Sequence, residues 1–218
     1  MTVKLAVFDC DGTLVDGQAG ICNAMETAFA TAGLAAPDRH RVRRIVGLSL
    51  PQAIALLLPE AEPAMLALVA DEYRNAFRVA REAGQLVEPL YDGIASLLNA
   101  LKAAEWSLGV ATGKSDRGLA HCLAMHGLSD HFATLQTADR HPSKPHPAML
   151  LAALDEVRAD PGDCVMIGDT AYDMAMAVAA GVRAIGVDWG YHSADELRNA
   201  GAAAVAATPE HLKELLLS

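Results

Sequence analysis

The sequence predicts an α/β fold: a doubly wound parallel sheet, interrupted once by an all-helical insert. Three observations predict it. Short apolar runs recur along the chain, helical patterns lie between most of them, and one block, residues 16–85, contains helical patterns alone. Strands alternating with helices imply parallel βαβ units. A sheet covered on both faces buries its strands fully, so they read as continuous apolar runs.

Val3–Phe8 is the first such run, ending at Asp9. Others follow at Leu108–Ala111, Phe132–Gln136, Cys164–Ile167, Ala184–Val187 and Ala203–Ala206. Helical patterns occupy Gly93–Ala104, Ser115–His126, Pro147–Val157, Ala171–Ala180 and Ala194–Asn199. Pro147 suits a first helical turn, where a missing N–H costs nothing. Asp160–Asp163, with Pro161 and Gly162 inside it, reads as a turn. Inside the helical block the segments are Ile21–Thr31, His40–Val46, Gln52–Leu58 and Pro63–Ala83, separated by Gly and Pro joints. The expected organisation is an α/β core of residues 1–15 and 86–218, with a helical cap domain of residues 16–85. Hinges are expected near Asp16–Gly17 and Leu86–Pro89.

Composition narrows the function. The chain has 218 residues, 52% of them hydrophobic, enough to bury a large core. A formal charge of −10 opposes nonspecific binding to nucleic acid or anionic membrane. A small anionic substrate feels the local site instead, and stays open as a partner. Every apolar run is broken by charge, Gly or Pro before it could span a bilayer. The apolar start is too short for a signal peptide, so a cytoplasmic location is expected. The four cysteines form no C-x-x-C pair and read as reduced, buried thiols.

In open parallel sheets the ligand crevice lies outside the carboxyl ends of the strands. FDCDGTLVDG follows the first strand, ATGKS the next, and IGDTAYDM the fourth; HPSKPHP precedes the Pro147 helix. Together they would bring Asp9, Asp11, Thr112, Lys144, Asp169 and Asp173 to one rim. GVATGKS looks like the end of a nucleotide-binding P-loop, but only three residues separate Gly109 and Gly113. The P-loop needs four, so an NTPase is disfavoured. Nor is DCDG a calcium loop, because its twelfth position is Gly20 where Glu is required. Several carboxylates in one crevice repel one another unless a cation compensates. Mg²⁺ suits that need, with Asp9 and Asp169 as direct ligands. An aspartate screened in this way can attack phosphorus and carry the phosphoryl group. Asp11, two residues on, is placed for general acid–base work. Thr112 and the Gly113 N–H would donate to phosphate at a helix start, and Lys144 would neutralise charge developing in transfer.

FDCDGTLVD, VATGKS, PSKPHP and VMIGDTAYDM together resemble the four ordered motifs of the haloacid dehalogenase-like superfamily. The likeness is greatest to its phosphoglycolate-phosphatase-like members, whose helical cap lies between the first two motifs of a Rossmann-like core. The resemblance implies Asp9 as nucleophile and metal ligand, and Asp11 as acid–base residue lending its backbone carbonyl to the metal. It implies Asp169 as metal ligand, and Asp173 as support for the metal shell or for Lys144. Gly12, Thr13, Thr112, Gly113 and Lys144 would hold phosphate. The activity implied is Mg²⁺-dependent hydrolysis of a small-metabolite phosphomonoester, phosphoglycolate-like, through an aspartyl-phosphate.

Asp11 favours an alcohol leaving group over dehalogenation. The absence of any His before His40 disfavours a mutase, while pyrophosphate hydrolysis and a non-catalytic phosphate-binding role stay as alternatives. His141 and His146 read as structural loop residues. Lys114 reads either as a phosphate contact or as a solvent-facing helix start. The basic run DRHRVRRIVG is either a solvated face or a source of substrate contacts through Arg43 or Arg44, with the turn at Gly47 reaching the cleft.

Overall fold

The computed structural model describes residues 2–218. Six strands form one fully parallel sheet: β1 (Leu5–Phe8), β2 (Ser107–Thr112), β3 (Thr134–Thr137), β4 (Cys164–Gly168), β5 (Arg183–Val187) and β6 (Ala204–Ala206). Their order is β3-β2-β1-β4-β5-β6. The order reverses between β1 and β4, which opens a crevice at their carboxyl ends. β1 is central and wholly buried.

Side chains alternate across a strand, and the two faces accordingly feed two separate cores. Ala6 and Phe8 point to one face, where they pack with α5 (Ile94–Ala103), α6 (Asp116–Met125) and α10 (Pro209–Leu217). Leu5 and Val7 point to the other, against α7 (Ala148–Val157), α8 (Ala171–Ala179) and α9 (Ala194–Asn199). The Asp160–Asp163 turn closes as a short 3₁₀ helix, Pro161–Asp163. All four cysteines are buried and unbridged. No helix among the described residues is long and apolar enough to cross a membrane.

Between β1 and α5 lie α1 (Gln18–Thr31), α2 (Arg39–Arg44), α3 (Leu50–Leu57) and α4 (Pro63–Glu82). These helices share a third apolar cluster, onto which Tyr172 and Tyr191 of the sheet unit also pack. Asp38 caps α2 by accepting from the His40 N–H, and Pro51 and Pro63 occupy the first turns of α3 and α4. The two linkers of this helical unit run side by side. Asp16 N–H donates to the Pro89 carbonyl at 2.8 Å, and Val15 bridges Leu90.

Candidate active site

Asp9 is the first residue beyond β1, and its N–H still donates to Ile167 O of β4 at 2.8 Å. That bond aims its carboxylate into the crevice at the switch point. Asp9 Oδ1 accepts from Cys10 N at 2.6 Å and lies 2.9 Å from Lys144 Nζ. Asp9 Oδ2 is buried and has no hydrogen-bond partner.

Lys144 comes from the loop between β3 and α7, and its side chain is wholly buried. Its ammonium also donates to Asp173 Oδ1 at 2.6 Å. Burial acts to lower its pKa, but Asp173 and Asp9 prevail and hold it above the ordinary lysine value. Asp173 is fixed by a capping box at the start of α8: Thr170 Oγ1 donates to its Oδ2 at 2.6 Å. Gly168 is required behind it, because a Cβ there would lie 2.4 Å from the Asp173 carboxyl carbon.

Asp169 follows β4. Thr13 Oγ1 donates to its Oδ1 at 2.8 Å and Tyr191 N to its Oδ2 at 2.9 Å. A Cβ on either Gly12 or Gly190 would fall 2.2 Å from an Asp169 side-chain atom, so both glycines form its slot. Gly12 also takes φ +83, a left-handed conformation.

Asp9, Asp169 and Asp173 offer oxygens within 4.8 Å of one another. Burial pushes the Asp9 carboxyl up to about 7 against the pull of Lys144. It pushes Asp169 well above the carboxylate range, with the charges of Asp9 and Asp173 adding to the rise. Five buried acids, Asp9, Asp11, Glu88, Asp169 and Asp173, face two lysines, Lys114 and Lys144. The excess of negative charge, the unpartnered Oδ2 and the all-oxygen donor set fit a hard divalent cation.

Asp11 is paired outside that cluster. Its Oδ1 lies 3.0 Å from Lys114 Nζ, a charge pairing not aligned as a hydrogen bond. Lys114 Nζ donates to Glu88 Oε1 at 2.6 Å. Asp11 Oδ1 also abuts the linker at Gly17, where a Cβ would come within 2.5 Å. Burial raises the Asp11 pKa despite Lys114.

A cavity of about 690 Å³ lies between these strand ends and the helical unit, with Asp9, Asp11, Thr112, Gly113 and Lys114 on its wall. The turn between α2 and α3 closes onto it. A Cβ on Gly113 would meet Leu48 O at 2.5 Å, and Ser49 N donates to Ser143 Oγ at 2.7 Å.

The structure thus gathers Asp9, Lys144, Asp169 and Asp173 into one cluster, with Asp11, Thr112, Gly113 and Gly47 facing the same cavity. Gly12 and Thr13 brace Asp169 rather than line the cavity. Lys114 is a buried member of an ion triad, which corrects the reading of a solvent-facing helix start. Arg43 and Arg44 do not line the cavity. Arg43 donates to Gln18 Oε1 at 2.7 Å, and Arg44 pairs with Glu196. His141 and His146 make local hydrogen bonds, to Gln136 and to Ala148 N. Sequence reasoning missed Glu88 and the Gly190–Tyr191 loop. The latter follows the end of β5, where the strand-end rule would have found it; Glu88 had no such signal.

A carboxylate cluster at the switch point of a Rossmann-like sheet, beneath a helical insert, defines a phosphoryl-transfer type of hydrolase site. The profile of the haloacid dehalogenase-like hydrolases matches residues 6–187, and the chain belongs to that family. It is similar to a probable phosphatase, IndB, of Dickeya dadantii, at 39% identity over 90% of this chain and 86% of the relative. It is similar to a phosphoglycolate phosphatase of Rhodospirillum rubrum, at 34% over 93% and 86%. A Mycobacterium tuberculosis relative, 33% identical over 98% of this chain and 72% of its own, bears the name tyrosine-protein kinase PtkA. The crystal structure of a predicted phosphatase from Clostridium acetobutylicum superposes with a TM-score of 0.89, at 26% identity, over 100% of this chain and 99% of that one.

Proposed function

We propose that the protein hydrolyses small phosphomonoesters with Mg²⁺ bound at Asp9, Asp169 and the Asp11 carbonyl, using Asp9 as nucleophile. It is a phosphoric monoester hydrolase of its family. The observation that supports it best is the pair of Asp9 oxygens. Lys144 holds Oδ1, while Oδ2 is buried without a partner beside a large cavity.

An oxygen of the Asp9 carboxylate attacks phosphorus, the bond to the ester oxygen breaks, and Asp11 gives that oxygen its proton. Burial raises the Asp11 pKa, which favours the protonated form this step requires. Water then attacks the phosphoryl group on Asp9, Asp11 recovers a proton from it, and inorganic phosphate leaves with Asp9 restored as carboxylate. Thr112 and the Gly113 N–H orient the phosphoryl oxygens, and Lys144 stabilises their charge. Bound Mg²⁺ supplies charge neutralisation between carboxylate and phosphate. The helical unit, seated on Gly113, excludes water during transfer. The kinase name of one relative makes the acceptor worth testing, because a hydroxyl could replace water in the second step.

The experiment is phosphate release from p-nitrophenyl phosphate with and without Mg²⁺, joined to mass spectrometry of trapped protein. Wild type is expected to be Mg²⁺-dependent and to gain a phosphoryl group on Asp9. Asp9→Asn is expected to lose both signals while keeping its circular dichroism. Equal rates for the two proteins would overturn the reading.

A further inference from the structure

The cavity is much larger than a two-carbon phosphoester requires. At about 690 Å³ it lies in the range, roughly 300–1,000 Å³, that holds ligands of drug size. Part of its wall is apolar, with Met25, Ile45 and Phe77 among the lining residues. A short polar substrate would leave these walls against water, whereas an apolar body on the leaving group would bury them.

The rest of the lining has the opposite character. Arg74, Arg78 and Arg81 stand four and three residues apart on α4, the spacing of one helical face, and all three line the cavity. Arg117 of α6 lines it too. In a chain of formal charge −10, four arginines among the residues lining one cavity, against Asp9, Asp11 and Asp139, are a local excess of positive charge. They are not equivalent. Arg74 pairs with Asp71 at 2.7 Å and Arg78 with Glu82 at 2.8 Å. Arg81 and Arg117 form no ion pair among the described residues, and Arg81 Nε is buried with no hydrogen-bond partner. With Nε enclosed and no ion pair formed, the outer N–H groups of the Arg81 guanidinium are the ones left to meet an anionic ligand group. The planar fork of arginine suits such a group.

We propose that the substrate is a phosphomonoester with an apolar or aromatic body and a second anionic group at its far end, received by Arg81 and Arg117. This rests on the phosphatase reading above. Phosphoglycolate has the second anion but lacks the body. A carboxylate and a second phosphoryl group share the charge that guanidinium recognises, and the test separates them.

The test measures kcat/KM with Mg²⁺ for benzyl phosphate, 4-carboxybenzyl phosphate, 4-phosphonobenzyl phosphate and phosphoglycolate. All are esters of primary alcohols, so the leaving oxygens are alike. At least one of the two anionic benzyl esters is expected to exceed benzyl phosphate by about tenfold or more, and whichever leads identifies the anion. It is also expected to exceed phosphoglycolate. Arg81→Ala, or Arg81→Ala with Arg117→Ala, is expected to collapse the ratio to benzyl phosphate towards one. A ratio near one in the wild type, a ratio that survives the double variant, or phosphoglycolate as the best ester would each overturn the inference while leaving the phosphatase reading intact. Hydrolysis of none of the four by a protein that cleaves p-nitrophenyl phosphate would overturn this inference alone; failure on that ester too would sink the phosphatase reading with it.

Discussion

Lys114 sits between two acids, Asp11 at 3.0 Å and Glu88 at 2.6 Å. Burial acts to lower its pKa, yet the neighbouring acids raise it well above the usual lysine value, so it stays a cation. Glu88 belongs to the second linker of the helical unit, and its backbone carbonyl is in turn bound by His126 Nε2 at 2.7 Å. Through Lys114 it therefore sets where the Asp11 carboxyl lies. Glu88→Gln should lower kcat/KM by roughly tenfold for an alkyl phosphate, whose leaving oxygen needs a proton. The loss should be clearly smaller for p-nitrophenyl phosphate, whose leaving group departs as an anion. Equal losses on both would assign Glu88 a merely structural role. Asp9, Asp11, Thr112 and Asp169 were legible because strand ends in a parallel sheet converge on one rim. Glu88 was not, because its partner lies 26 residues away and the linker carries no periodic signal. The two readings of Arg43 and Arg44 stayed open for a related reason. A helical pattern shows that a face exists, but Gln18 and Glu196, which capture these two side chains, meet them only in the folded chain.

Among the elements, the turn between α2 and α3 packs against the loop at Gly113. Gly47 takes φ +96 there, and its carbonyl and that of Leu48 crowd the missing side chain of Gly113. Gly113→Ala would push against backbone, which cannot swing aside as a side chain can. The helical unit would then seat imperfectly. A misplacement of about 1 Å can cost on the order of 10²-fold in rate, so a loss of about that size in kcat/KM is expected. The melting temperature should stay close to wild type, because the three apolar clusters are untouched. Unchanged kcat/KM would show that the turn is free to retreat. At this scale most of the chain was readable, since buried strands and amphipathic helices leave different patterns. The third strand shows the limit. The apolar run begins at Phe132, but pairing with β2 begins at Thr134. Phe132 packs on the core from the preceding loop, so hydrophobicity marked burial rather than the ladder.

Across the whole molecule, the charge imbalance of the site would couple the proposed cation to stability. The Asp9 carboxyl, ordinarily near 3.8, is pushed up to about 7 by burial in the metal-free protein. The native state then binds more protons than the unfolded chain between about pH 4 and 7, so stability falls as pH rises through that window. Mg²⁺ favours the ionised form, and its stabilising effect should grow over the same window. Thermal melts across pH 4.5 to 7.5, with and without Mg²⁺, check this; a Mg²⁺ shift independent of pH would refute it. The alternation of strands and helices made the parallel sheet and its helical insert legible. It left the strand order open, because a given succession of βαβ units can be laid down in several orders. The linkers add a further consequence. The chain departs from the sheet at Val15 and returns at Leu90, and these two residues touch. The insert thus enters its host through a single socket. Grafting another bundle there would bring new walls and a new rim, while the ladder of β1 and the acids beyond it stayed in register. Such a graft would alter the walls that α4 supplies, while Arg117 of α6 and the seat at Gly113 would still have to be matched.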